Sequence, residues 1–294
     1  MNQTKGRMEQ NNNKDVDYFY HYTTQETLCG MLNKCREDNS HDAQENLIFW
    51  ASSIFTMNDP QEMKHGVEVF KVLIPFNEGF YEIHPDERLN IDTLDSEKLL
   101  SDHSHTPFVI SFSGNRDDLV MWALYGDGGH GVVLKFNKDL TSYPSTLVGV
   151  TKPENVYYGK GSDRIQLIFQ IYNKGLLELR SCMNEKQKKE CRKKTLSKLY
   201  THICPFIKTE SYRNEKESRL SYYDVPSRLV KFRTRNKNVI PYIEVPIPVD
   251  YLEEIVIGPC CNFELAKSSI RYLLDCCGLQ RVHISKSSIP YRNI

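Results

Sequence analysis

Three groups of side chains in this sequence have types and spacings that could do chemistry. The first is the triplet His21-Tyr22-Thr23, at the end of the short apolar run that begins at Val16. We expect a helix directly after it, capped by Thr23 or Thr24, because a threonine hydroxyl accepts hydrogen bonds from the free amides of a first helical turn. A histidine and a hydroxyl at such a strand-to-helix corner are typical of the opening of a nucleotide pocket. The ordinary alternative is a half-buried strand end.

The second group is a charged run in which Glu215, Glu217 and Arg219 alternate with other residues. Because side chains on an extended strand point to opposite faces in turn, these three would share one face. Two carboxylates and a guanidinium suit a site in which arginine holds a carboxylate in place. They equally suit a solvated edge strand with surface ion pairs. Both interpretations stay open, and Leu220 and Tyr222 are expected to pack inward on the opposite face.

The third group is aromatic and hydroxylic. Ser111, Phe112 and Ser113 end a predicted strand, and Trp122 and Tyr125 lie one turn apart on the helix predicted after it. Beside glycine-rich turns, this aromatic pair can wall a pocket and stack on an aromatic base. Core packing is the more common role of aromatic residues at helical spacing.

The elements that position these groups follow from hydrophobic periodicity and turn residues. The sequence predicts strands over 16–20, 47–51, 68–74, 108–113, 131–136, 218–223, 238–245, 253–257 and 281–285. It predicts helices after residue 24, around 96–100, over 119–125, through most of 162–202 and over 264–277. Residues 1–15 are polar and rich in asparagine, which predicts a disordered leader before a single domain over 16–294.

Composition narrows the class of protein. The 294 residues are 39% hydrophobic, enough for the core of one α+β domain. Basic and acidic residues number 38 each, so net charge gives no argument for nucleic acid or an anionic membrane. No stretch is typical of a membrane span or a signal peptide, and we expect a soluble, cytoplasmic protein without a membrane partner. Nine cysteines without a CxxC pair predict reduced, mostly buried thiols, with Cys29 in the core.

Two basic stretches, residues 186–198 and 228–237, are most simply solvated surfaces, and a nucleic-acid surface is the alternative. Sequence templates for dinucleotide-binding glycine loops, P-loops, zinc proteases and serine hydrolases are absent. The turn over residues 58–62 could contact a metal, but without further carboxylates at regular spacing it fits a structural turn. We therefore expect no metal.

In order along the chain, several motifs resemble those of the DUF2971 family. They are Tyr-His-Tyr-Thr from Tyr20, Asn-Asp-Pro-x-Glu from Asn58, Ser-Phe-Ser from Ser111, Met-Trp-x-x-Tyr from Met121, Glu-x-Glu-x-Arg from Glu215 and Ile-Gly-Pro from Ile257. The resemblance extends from about Tyr18 to Arg292. The family's name declares no activity.

The layout of these motifs is in turn similar to that of ADP-ribosyltransferases. Those enzymes carry a first motif of histidine, a small or aromatic residue and serine or threonine, then a strand with an aromatic helix, then a glutamate on a late strand. The similarity implies a single domain with a split, mostly antiparallel β core of ADP-ribosyltransferase-like type, flanking helices and a helical insertion over about 162–204. It also implies that NAD is a substrate.

The similarity assigns roles to individual residues. His21 would bond the adenosine ribose, and the backbone of Tyr22 would hold the nicotinamide amide, with Thr23 in the same motif. Trp122 or Tyr125 would stack on the nicotinamide ring. The nicotinamide pocket would be lined by Ser111, Phe112 and Ser113. Glu217 or Glu215 would bond the nicotinamide ribose hydroxyl, and Arg219 would orient that glutamate. His21, Glu215 and Glu217 are the predicted catalytic residues.

The first hypothesis is therefore an NAD-consuming enzyme that transfers ADP-ribose to a protein, a nucleic acid or water, with a toxin or an anti-phage effector as its setting. The second is a non-catalytic protein that binds a nucleotide in the same pocket or grips nucleic acid through the two basic stretches. A regulatory subunit with a degenerate pocket is a third alternative, which the sequence does not separate from the first.

Overall fold

The computed structural model of the chain describes residues 18–37, 46–89, 91, 106–142, 149–159, 165–235 and 237–291. The strands described are β1 Tyr18–Thr23, β2 Asn46–Ser53, β3 Phe108–Ser113, β4 Val132–Asn137, β5 Glu154–Asn155, β6 Tyr157–Tyr158, β7 Ile207–Lys208, β8 Glu217–Tyr222, β9 Lys231–Arg235, β10 Asn238–Pro248, β11 Leu252–Ile257 and β12 His283–Lys286. The helices described are α1 Gln25–Glu37, α2 Glu62–Phe80, α3 Leu119–Tyr125, α4 Ile165–Arg180, α5 Glu185–His202 and α6 Phe263–Cys276. The predicted leader over 1–15 and helix around 96–100 lie outside the described residues.

Ten of these strands form one large sheet, which confirms the prediction of a mixed α and β fold around a mostly antiparallel sheet. Its main path is β12-β11-β4-β1-β3-β2-β10-β9, with β8 paired to β3 and β5 paired to β8. Every pairing within it is antiparallel except that of β11 with β12. The strands β6 and β7 form a separate parallel pair.

The strand β3 is the junction of the large sheet. It pairs with β8 along its whole length, with β2 at its start and with β1 at its end. The residues that show this are Val109, opposite both Ser52 and Ser221, and Ser113, opposite both Tyr20 and Glu217. Because β8 occupies one edge of β3 throughout, β1 and β2 share the other edge at opposite ends. The half-sheets that contain β1 and β2 therefore separate beside the middle of β3.

Side-chain alternation gives the sheet two different faces. One face is apolar, and on it the rings of Phe19, Phe49, Phe112 and Phe136 pack against one another beneath buried residues of α1 and α6. The other face meets α3 through a small cluster around Trp122 and meets α2, α4 and α5 through a second core. Helices therefore cover both faces, and the cores lie between them and the sheet.

The prediction of a strand over 68–74 is wrong, because these residues lie within α2. Val67, Phe70 and Ile74 are buried with helical spacing, whereas the intervening Val72 is 69% exposed. A short run of mixed polar and apolar residues fits both the two-residue period of a strand and the 3.6-residue period of a helix. Here the packing of the buried residues favours the helix. The close approach of α2 to the segment before β7 requires Gly66, since a Cβ there would lie 2.7 Å from the Cα of Cys204.

Two predictions about the first elements also need correction. The strand β1 continues through Thr23, so the triplet from His21 lies within the strand and the corner comes one residue later. Thr24 is the residue that caps α1, with its hydroxyl accepting a hydrogen bond from the Thr27 amide at 3.0 Å. Cys29 is exposed, because it lies about a quarter-turn around α1 from the buried Leu28.

Most of the other elements follow the predictions closely, but the strands β5, β6, β7 and β9 were not predicted. The helical segment predicted over 162–202 is a pair of helices, and Asn184 caps the second by accepting from the amide of Gln187 at 2.9 Å. The eight cysteines whose side chains the structure describes are free thiols, but the prediction that most of them are buried is wrong, because only Cys191, Cys204 and Cys277 are buried. No helix in the described part of the chain has both the length and the apolar character needed to cross a membrane.

Candidate functional site

A cavity of about 580 Å³ opens where β1 and β2 separate from each other beside β3. Its walls come from β1, α1, β2, the turn after β2, β3, α3, β7, the segment before β8, β8, β9 and β10. Nine of the residues predicted from the sequence line it: His21, Tyr22, Thr23, Ser111, Phe112, Ser113, Tyr125, Glu215 and Glu217. Trp122 and Arg219 are fully buried behind this wall.

His21 fills part of the gap between the half-sheets. Alternation along β1 directs its ring to the apolar face, where it contacts Phe49 and Phe112 with ring centroids 5.1 and 5.8 Å apart. Its Nδ1 lies 2.9 Å from the carbonyl oxygen of Ser111, on the stretch of β3 that neither β1 nor β2 pairs. A carbonyl only accepts, so Nδ1 carries the proton. Burial lowers the pKa of His21, and the neutral ring then offers Nε2 as a hydrogen-bond acceptor.

Glu217 begins β8 and is held by two cations. Its oxygens accept hydrogen bonds from Nε and Nη2 of Arg219 at 2.7 and 2.8 Å, and Nζ of Lys208 lies 3.2 Å away. Burial by itself raises the pKa of this carboxyl, but the charges of Arg219 and Lys208 outweigh it and lower the pKa to about 2. Glu217 is therefore an ionised carboxylate in a fixed orientation. The alternative of a solvated edge strand is excluded, because every residue of β8 is buried.

Glu215 also lines this cavity, but it does not lie on the same strand as Glu217, contrary to the prediction from the sequence. It is the last residue of a short 3-10 turn, and Lys216 then takes a left-handed conformation with φ of 45° before β8 begins. Its carboxylate accepts from the Tyr125 hydroxyl at 2.6 Å and from Nζ of Lys208 at 2.7 Å. Lys208 therefore links the two candidate carboxylates, and burial together with Glu215 raises the pKa of Tyr125.

Arg219 lies between two carboxylates and does not contact the cavity. Besides Glu217 it forms an ion pair with Glu62 at the start of α2 and donates to the carbonyl oxygen of Pro205. Burial raises the pKa of Glu62 despite the nearby charge of Arg219. This arrangement gives Arg219 the orienting position that the sequence predicted, with Glu62 as a second anchor.

The two aromatic residues of α3 have different environments. Trp122 is fully buried, its Nε1 donates to Oδ1 of Asp117 at 2.7 Å, and its ring packs edge to face on Tyr22. It is a core residue and is not available to stack on a ligand in the cavity. Tyr125 is the member of the pair that lines the cavity.

Several lining or supporting residues were not identified from the sequence. Glu62 stands in the Asn-Asp-Pro-x-Glu motif, but its role as the partner of Arg219 depends on a contact across 157 residues. Lys208 directly follows a buried apolar run, and a lysine in that position is the sequence feature that could have indicated its role in the site. Arg233 and Arg235 of the edge strand β9 line the cavity at another wall.

Neither of the two basic stretches forms a free cationic surface along its whole length. Lys188 and Lys194 on α5 form ion pairs with Glu185 and Glu178, at 2.9 and 3.2 Å. On β9, Lys231 pairs with Glu244 at 2.6 Å. Among the residues that the structure describes, no group of three or more His, Cys, Asp or Glu side chains is arranged to hold a metal ion.

Comparison with known proteins bears on part of the site. The model of a family described as a protein of unknown function, DUF2971, matches residues 121–220. The matched segment contains Tyr125, Lys208, Glu215, Glu217 and Arg219, whereas β1, β2 and β3 lie outside it. No curated protein matches the chain, and no solved structure matches it. The predicted resemblance to the DUF2971 family is thus confirmed over the matched residues 121–220.

Proposed function

We propose that this chain is an NAD-consuming enzyme of ADP-ribosyltransferase-like type, which cleaves the nicotinamide glycosidic bond and transfers ADP-ribose to a macromolecule or to water. The observation that carries the proposal is the meeting of His21, Tyr125, Glu215 and Glu217 in one cavity at the split of the sheet. These residues come from distant parts of the chain. A split between β1 and β2 is also the kind of β core that the similarity to ADP-ribosyltransferases implies.

The chemistry requires a fixed negative charge next to the ribose. As the glycosidic bond breaks, its electron pair leaves with nicotinamide, and positive charge develops on the ribose carbon. An ionised carboxylate with a fixed orientation stabilises that charge more in the transition state than in the ground state. Glu217 meets both conditions because Arg219 holds it by two hydrogen bonds. A carboxylate has about four acceptor positions, so a ribose hydroxyl would share Glu217 with Arg219, Lys208 and the neighbouring hydroxyl of Ser111.

The other residues of the cavity would position the substrate. Tyr125 would stack on the nicotinamide ring, with Ser111 and Ser113 beside it, and Nε2 of His21 would accept from a hydroxyl of the adenosine ribose. The acceptor of ADP-ribose would attack the ribose carbon after nicotinamide leaves and give up its proton to Glu215 or to water. The acceptor classes are protein, nucleic acid and water, and the proposed setting is a toxin or an anti-phage effector.

The test is incubation of the purified chain with NAD, with release of nicotinamide followed by chromatography. DNA, RNA and cell lysate are offered in separate reactions as acceptors. We expect release by the wild type and by Glu190→Gln, a change of an exposed glutamate on α5, and loss of release in Glu217→Gln. Circular dichroism checks that each variant is folded. Absence of release from the wild type under all of these conditions counts against the proposal.

One observation favours a second candidate, a protein that binds a nucleotide in this cavity without cleaving it. Both oxygens of Glu217 already accept hydrogen bonds from Arg219, and Lys208 is a further donor. A carboxylate that is neutralised in this way would attract an oxocarbenium ion less strongly. Calorimetric titration with NAD separates the candidates, because the second predicts binding without nicotinamide release. Nucleic-acid binding predicts, in addition, retention on DNA or RNA that falls steeply with salt.

A further inference from the structure

The wall of the cavity formed by β9 contains an arginine in an unusual environment. The guanidinium of Arg233 lies over the rings of Trp50 and Tyr242, at 4.9 and 5.6 Å from their centroids. Its Nη2 donates to the hydroxyl of Ser52 at 3.0 Å. Stacking on two aromatic rings restricts the guanidinium to one plane and one position. Arg233 is therefore held in place although it belongs to an edge strand.

The charge of Arg233 lacks a counter-charge in the described part of the chain. The titratable groups that interact with it are Arg235 and Tyr242, and no carboxylate is among them. Its Nε is buried and has no hydrogen-bond acceptor among the described residues. A buried donor without an acceptor costs about 1–3 kcal/mol, and such groups in native proteins commonly have a ligand or water as partner. By contrast, Lys231 on the same strand forms an ion pair with Glu244.

A second cation lies beside the first. Alternation along β9 places Arg235 on the same face as Arg233, and both residues line the cavity that also holds Glu217. Burial lowers the pKa of Arg233, and the nearby charge of Arg235 lowers it further. Two neighbouring cations of this kind gain from an anion that binds between them.

The two ends of the cavity differ in chemistry. Glu217 begins β8, and Ser52, which holds Arg233, lies on β2 at the other edge of β3. Two strand spacings separate β2 from β8, about 10 Å across the sheet. Along β3, Ser52 lies opposite Val109 and Glu217 opposite Ser113, so the two sites are also four residues apart along the strand. A ligand that contacts both Arg233 and Glu217 must therefore be extended. Its anionic group must lie far from the part of the ligand that contacts the Glu217 carboxylate.

We propose that Arg233 and Arg235 form a phosphate-binding subsite of this cavity, which takes the diphosphate of a dinucleotide. The choice of a dinucleotide rests on the proposed function. Guanidinium groups bind phosphate oxygens through paired, charge-assisted hydrogen bonds, and the unused Nε of Arg233 supplies one of the donors. The subsite would place the diphosphate near β9 and β2 and the nicotinamide ribose near Glu217.

The test measures binding of three probes by isothermal titration calorimetry: ADP-ribose, inorganic pyrophosphate and nicotinamide riboside. We expect Arg233→Gln to weaken ADP-ribose and pyrophosphate about 10- to 100-fold, which is typical for the loss of a charge-assisted hydrogen bond. Nicotinamide riboside has no phosphate, so its affinity should not change. Lys231→Gln is the matched control, because it removes a cation from the same strand outside the cavity, and it should leave all three affinities unchanged.

The possible outcomes separate this inference from the proposed function. Loss of ADP-ribose and pyrophosphate affinity in Arg233→Gln supports the subsite even if the wild type releases no nicotinamide. Unchanged affinity for both in a folded Arg233→Gln overturns the subsite, even if the wild type cleaves NAD. If a single-stranded oligonucleotide binds through Arg233 and ADP-ribose does not bind, the assignment to a dinucleotide is overturned.

Discussion

Replacement of Arg219 by methionine removes the cation that two buried carboxylates share. Arg219 is fully buried, and it donates to Glu217 at 2.7 and 2.8 Å while it also pairs with Glu62. Methionine has a similar length and no charge, so Arg219→Met changes the electrostatics more than the packing. Both carboxylates would then remain in the interior without their main partner.

The expected effect on stability is large. At an effective dielectric constant of about 20, two unit charges 4 Å apart interact by about 4 kcal/mol. Removal of one partner from a buried ion pair usually costs about 3–5 kcal/mol, because the other charge stays buried. We therefore expect Arg219→Met to lower the free energy of unfolding by about 3–5 kcal/mol. Ordinary domains have about 5–15 kcal/mol in total, so the variant would be marginally stable.

Urea unfolding followed by circular dichroism measures this loss. Arg180→Met is the matched control, since Arg180 donates two hydrogen bonds to Glu87 at the surface, and its loss should be much smaller. Adding Glu217→Gln to Arg219→Met should restore part of the lost stability, because the glutamine removes one of the two buried carboxylates that have lost Arg219. If Arg219→Met costs no more than Arg180→Met, or if the double variant is the least stable of all, the description of this ion pair is wrong.

Two further predictions concern pH and the aromatic residues of α3. Although burial opposes it, neighbouring cations lower the pKa of Glu217 from 4.5 to about 2, so its charge stabilises the fold above about pH 4.5 and this contribution is lost as the pH falls toward 2. The free energy of unfolding should therefore decrease more steeply over that range in the wild type than in Glu217→Gln, and equal slopes contradict the assignment. Trp122→Phe removes a hydrogen bond to Asp117 and should cost about 1–3 kcal/mol in urea unfolding while NAD affinity stays unchanged. Tyr125→Phe removes the bond to Glu215 in the cavity and should slow nicotinamide release, and the reverse pattern would move the ligand to Trp122.

Sequence patterns predicted the elements whose periodicity is unambiguous. The strand over 108–113 and the helix over 119–125 occur with the predicted bounds. The short apolar run fits only a strand, and the amphipathic segment fits only the period of a helix. The segment 68–74 fits both periods, and its helical form depends on contacts of α2 with the chain around Cys204. Those contacts are remote in sequence and leave no local pattern.

The candidate site was only partly predictable for the same reason. His21, Tyr125 and Glu217 could be selected by residue type and order, and the structure places all three in one cavity. The sequence could not decide whether Trp122 or Tyr125 lines the cavity. Helical spacing indicates which residues share a face, but it does not show which of them is buried by the rest of the chain. Lys208 became visible only when the carboxylates that it links were placed in space.

The most direct test of the proposed activity is the rate at which the wild type and Glu217→Gln release nicotinamide from NAD. We expect release by the wild type and a fall of about 100-fold or more in the variant, since a fixed group that stabilises transition-state charge usually contributes at least that much. Equal rates in the two folded proteins would contradict the role of Glu217. Absence of release by the wild type, with every acceptor supplied, would contradict the proposed activity itself.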